Sequence, residues 1–153
     1  MKPIIPLLFL ATLLAHAQEA EAPARPRVAG ELDPQAKHLF DKAMELMDFK
    51  QYERGLAMLN SIVRDYQGTI LAHRAHIAMG KHFLEQRNTA DALNHFMLLT
   101  RVLAPVPGEK QPDGFEDLYH EALFQAGLTQ YTAGQYAAAF PMFRRLTEVA
   151  GKT

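Results

Sequence analysis

Two histidines, His73 and His76, stand three residues apart in the middle of the chain. On a helix that spacing puts two imidazoles on one face, half of a metal-ligand pattern. No third ligand stands at a diagnostic spacing from them, so they read as partly buried or surface histidines, and no metal is expected. His120-Glu121 starts like the zinc-protease signature, but Phe124 stands where its second histidine belongs. Ser61, the only serine, lies in the mid-helix run Asn60-Ser61-Ile62 rather than in the strained turn a nucleophilic serine uses. Gly80-Lys81 lacks the upstream glycine and the following hydroxyl of a phosphate-binding loop. Asp113, Glu116, Asp117 and Glu121 cluster without the spacing of a calcium loop; they read as capping and favourable charge at a helix amino terminus. These residues predict no catalytic group, no cofactor and no enzyme.

The composition narrows the classes further. The chain has 153 residues, 48% hydrophobic and 22% charged, which suits one soluble domain. Sixteen Lys and Arg against seventeen Asp and Glu give a net charge of -1, so no basic field is present to collect nucleic acid. The absence of cysteine excludes disulfides, thiolate zinc sites, cysteine nucleophiles and a lipid-anchored amino terminus of the bacterial type.

The first 17 residues read as a signal peptide. Met1-Lys2 is followed by the apolar run PIIPLLFLATLLA, and Ala15-His16-Ala17 fits the small-x-small pattern of signal peptidase, with cleavage before Gln18. A spanning helix needs about 20 apolar residues, so no stable membrane span is expected after cleavage. The reading places the protein outside the cytoplasm, periplasmic or secreted. Residues 18–33 are rich in Ala, Pro and Glu and read as an extended tether. Asp33-Pro34 then supplies a cap and a first helical residue.

From residue 34 to 153 the apolar spacing is helical, and no run alternates with period two. Helices are predicted over 34–48, 51–66, 70–87, 89–103, 115–133 and 136–150, an all-α domain. Leu56, Leu59, Ile62, Val63 and Tyr66 form one stripe of the second helix. Asn88 and Asp113 are expected to cap the fourth and fifth helices. The stretch APVPGEKQPDG at 104–114 is a loop. Pro141 predicts a kink in the last helix or a start shifted toward it.

The helices repeat in pairs. Ala43, Gly80 and Gly127 are each followed 12 residues later by a small residue, Gly55, Ala92 and Ala139, and four further on by Leu59, Phe96 and Phe143. Small residues let two antiparallel helices approach, and a large one fills the space beside them. Ala43 and Gly80 are 37 residues apart, Gly80 and Gly127 are 47 apart, so the loop is an insertion between the second and third units.

These residues resemble the tetratricopeptide repeat (TPR) family. The third unit is the fullest match, with Gly127, Gly134, Tyr136, Ala139 and Phe143 in register; the second keeps Gly80, Ala92, Phe96 and Pro105, the first Tyr52. Leu39, His76 and Leu123 replace the family's large aromatic early in each first helix. Around Tyr66-Gln67-Gly68-Thr69 the chain looks like exported bacterial envelope members, although the usual proline of that link is absent. The resemblance implies a right-handed superhelix of three antiparallel helix pairs whose first helices line a groove for a protein or peptide segment. Carried over by register, the groove residues are Lys37, Phe40, Met44, Met47, Arg74, Ile77, Lys81, Leu84, Glu121, Phe124, Leu128 and Tyr131. Phe40 and Met44 replace the Lys and Asn with which chaperone-binding members clamp acidic tails, so that ligand type is not expected. The implied function is a non-enzymatic envelope scaffold that docks another protein. The alternative is an accessory segment of a longer exported protein whose catalytic or assembly region lies elsewhere. Repeat arrays usually end in a polar capping element, and none follows the last helix, so self-association through the last unit is a further expectation.

Overall fold

The computed structural model describes residues 33–150. The stretch read as a signal peptide and most of the stretch read as a tether fall outside these described residues. All six elements are helices: α1 (Pro34–Asp48), α2 (Tyr52–Asp65), α3 (Ile70–Glu85), α4 (Thr89–Val102), α5 (Phe115–Thr132) and α6 (Tyr136–Ala150). None of them is long and apolar enough to cross a membrane.

Capping fixes where several of them start. The Asp33 side chain accepts from the N–H groups of Gln35 (2.8 Å) and Ala36 (3.0 Å), with Pro34 at the first position. Thr69 accepts from the Ala72 N–H and Asn88 from the Asp91 N–H, both at 3.3 Å. Asp113 does not take the corresponding place on α5. Gly114, at φ +80°, holds the cap position without a side-chain bond. A Cβ there would lie 2.7 Å from Ile70 Cδ1, so the chain needs glycine to pass so close to α3.

The three intra-pair turns share one geometry. In the first, the Lys50 N–H donates to Met47 O (2.9 Å) and the Gln51 N–H to Leu46 O (2.8 Å). In the second, Arg87 donates to Leu84 O (2.9 Å) and Asn88 to Phe83 O (2.8 Å). In the third, Gly134 donates to Tyr131 O (3.0 Å) and Gln135 to Gln130 O (2.8 Å). This is the Schellman stop, which requires a left-handed residue after the helix. Lys50, Arg87 and Gly134 supply it at φ +59°, +59° and +77°. Only the third turn uses the residue that adopts this conformation without a steric cost.

Each turn closes a helical hairpin. Gly80 before the second turn meets Phe96 after it, which requires α3 and α4 to run in opposite directions; a Cβ on Gly80 would sit 2.5 Å from the Phe96 ring. Gly127 meets Phe143 likewise, at 2.9 Å, whereas Gly55 faces the flexible Met47 side chain at 2.7 Å. Pro141 stays inside α6 and the helix start is not shifted. The Gln135 bond to Gln130 O fixes where α6 begins, and the carbonyl that Pro141 leaves unpaired belongs to exposed Ala137, within reach of water.

Consecutive helices pack on one another, and α3 also touches both α1 and α5. Among the described residues α2, α4 and α6 do not touch each other. The first helices of the hairpins therefore form one drawn-together layer, and the second helices splay behind it. Leu59, Ile62, Phe96, Leu99, Leu103, Tyr119 and Leu123 fill the space between the layers and are almost wholly buried. Burying side chains of this size stabilises by about 1.5–3 kcal/mol each.

Candidate functional site

The layer of α1, α3 and α5 carries a groove. Helical spacing brings its lining to one face: Phe40 and Met44 on α1, and Arg74, Ile77, Ala78 and Lys81 on α3. The first turns of α5 close it with Gly114, Asp117, Leu118 and Glu121. The cavity holds about 360 Å³, within the range of small-ligand and side-chain sites. Its floor is apolar. Lys81 and Glu121 span its rim as an ion pair between α3 and α5. Arg74 and Asp117 make no ion pair among the described residues, so each keeps its charge free for another group.

A second hollow of about 220 Å³ continues along α3 toward its carboxyl end. Met44, Ala78 and Lys81 are common to both, and Met47, Asp48, Tyr52, His82 and Glu85 complete it. The His82 ring lies under Tyr52, with centroids 4.6 Å apart, and its Nδ1 is buried without a hydrogen-bond partner.

Seven of the twelve residues placed in a groove by register meet in these two hollows: Phe40, Met44, Arg74, Ile77, Lys81 and Glu121 in the first, and Met47 in the second. The other five do not. Lys37 is exposed and pairs with Asp41 at 2.6 Å. Leu84 is half-buried against the core. Phe124, Leu128 and Tyr131 lie farther along α5 and line neither hollow. Phe124 is 46% and Tyr131 55% exposed, with their rings against Phe143 and Tyr136. Asp117 and Leu118 enter the site without having been read as groove residues; the acidic cluster 113–121 was their visible trace, interpreted as helix-end charge.

The remaining chemistry-bearing side chains sit in packing positions. The Ser61 hydroxyl donates to Met58 O at 2.8 Å within its own helix. His73 is buried edge-on to Phe115, with centroids 5.2 Å apart, and burial pushes its pKa down. His76 does not pair with His73. Its Nδ1 lies 2.8 Å from Nδ1 of His95 on α4. Among the described residues no three His, Cys, Asp or Glu side chains could hold a metal ion. No family model matches the chain, and no curated protein or solved structure does either.

Proposed function

We propose that this protein is an exported scaffold that holds a segment of another protein in the groove of α1, α3 and α5. The three hairpins stack in the manner of a TPR-like right-handed superhelix, and no step of chemistry is assigned to them. The observation that carries this reading is the groove itself: an apolar floor of Phe40, Met44, Ile77 and Leu118 between an unpaired cation and an unpaired anion. Such a surface suits an amphipathic segment whose apolar side chains sit on the floor while a carboxylate reaches Arg74. The helix pairs hold the groove open before binding, so little ordering cost falls on the scaffold side.

Random peptides displayed on phage and selected on the full chain test this directly. The enriched segments should combine apolar anchors with an acidic residue. Binding of such a segment, followed by fluorescence anisotropy, should weaken by about tenfold or more in Arg74→Glu and in Met44→Glu, about 1.4 kcal/mol per tenfold. Tyr131→Glu, outside both hollows, should leave it unchanged. Segments that bind all four proteins equally would remove the groove from the account.

A further inference from the structure

The three hairpins place different chemistry at one equivalent position. Leu39 and Met58, His76 and His95, and Leu123 and Met142 each stand 19 residues apart across their turns. In the outer hairpins these side chains are apolar and packed with the core. In the middle one they are two half-buried imidazoles joined Nδ1 to Nδ1 at 2.8 Å, their ring centroids 5.1 Å apart.

That bond constrains protonation. One ring must donate its Nδ1–H while the other offers a lone pair. A single added proton preserves the bond as a charge-assisted N–H···N contact. A second proton turns both Nδ1 atoms into donors and sets two cations side by side. The surroundings decide the order. Phe83 stacks on His95, with centroids 5.6 Å apart and planes 10° apart; burial holds the His95 pKa below its ordinary value, and Asp91 one turn earlier on α4 offsets part of that by favouring the charged form. His76 has His73 one turn before it on α3 as another potential like charge. The charged side chains of α2 (Glu53, Arg54, Arg64, Asp65) are all exposed, as are Lys37 and Asp41 of α1 and Glu116 and Asp117 of α5. His120 of α5 is half-buried with Glu116 at 4.0 Å.

We propose that the His76–His95 pair is an acid-opened joint: neutral or singly protonated it closes the α3–α4 hairpin, and the second proton parts the two helices while the outer hairpins stay closed. Burial first, then the neighbouring His95 and His73, holds the His76 pKa down to about 4, below its ordinary 6.5. Between those values the unfolded chain binds more protons than the folded one, so stability falls as the pH drops through this window. Because α3 also carries Arg74, Ile77 and Lys81, opening the joint would withdraw the middle wall of the groove. That consequence rests on the partner-binding reading; the joint itself does not.

The test is thermal melting of the full chain at pH 7.5 and 4.5, wild type beside His76→Leu/His95→Met, which copies the outer hairpins. The wild type should lose more Tm on acidification than the double variant, by on the order of 5 °C. Equal losses would overturn the proposal. Should the double variant fail to fold, the wild-type imidazoles can be titrated by NMR. His76 is then expected to protonate well below the ordinary imidazole value of 6.5, with α3–α4 cross-peaks lost as it does. Both imidazoles of the pair titrating near 6.5 with the hairpin still closed would equally overturn it.

Discussion

The middle hairpin and its two neighbours share a turn, a close approach of helices and a register, yet they are glued differently. α3–α4 is joined by a glycine against a fully buried Phe96 and by two imidazoles. At the imidazole position the first and third hairpins carry Leu with Met. The middle unit is thus at once the most tightly plugged and the most polar at its joint. Stacked repeats are stabilised mainly by nearest neighbours, so its state governs whether the first and third units remain parts of one body. The groove lies on the same helix, α3, which touches both α1 and α5.

The largest expected effect concerns the plug. Phe96→Ala should destabilise the chain by about 3–5 kcal/mol, because a fully buried ring leaves a cavity. Phe143→Ala, at the equivalent but half-buried site, should cost clearly less; chemical denaturation of both measures the difference. Next come the glycines. Gly80→Ala drives a Cβ into the Phe96 ring and should cost about 1–3 kcal/mol. Gly55→Ala meets the flexible Met47 thioether at 2.7 Å and the Ala43 carbonyl oxygen at 3.2 Å; the thioether can move aside, and the better helix propensity, worth up to about 1 kcal/mol, offsets part of the strain. Comparable losses at both sites would erase the distinction drawn between rigid and yielding plugs.

A transplant sharpens the contrast. Leu39→His/Met58→His should give the first hairpin the acid sensitivity of the middle one, read as a larger Tm loss between pH 7.5 and 4.5 than in the wild type. The smallest effects lie at the turns. Lys50→Gly and Arg87→Gly relieve left-handed strain and should each stabilise by about 1 kcal/mol, whereas Gly134→Ala should cost a similar amount. None of these changes touches the His76–His95 contact, so the pH dependence should not move with them.

Much of the helical layout was legible because its signals are local. Asp33-Pro34 marks the start of α1, and the spacing of Ala43, Gly80 and Gly127 against Gly55, Ala92 and Ala139 marks the pairs. The sequence overran α3 by two residues, to 87 instead of Glu85. Arg87 stops that helix in a left-handed conformation that an arginine does not advertise. Asp113 was credited with capping α5 because aspartate is a good cap; the close approach to Ile70, a tertiary fact, gave the place to Gly114. Of the residues lining the hollows, Phe40, Met44 and Met47 on α1 and Arg74, Ile77 and Lys81 on α3 stand at positions taken by register, whereas Lys37 and Leu84, taken by the same register, do not line them. The α5 contribution slipped toward its amino end, since only the packing of α5 on α3 shows which turns face the groove. His95 was invisible as a partner of His76 because the pairing crosses two helices, whereas the spacing of His73 and His76 drew attention along one.

Hydrogen exchange resolved by segment, on the wild-type chain at pH 7.5 and pH 4.5 and corrected for intrinsic rates, tests the unequal joints most directly. The opening free energies of α3 and α4 amides should fall on acidification while those of α1 and α2 hold. A uniform fall across all six helices, or a loss that begins in the first hairpin, would contradict the account.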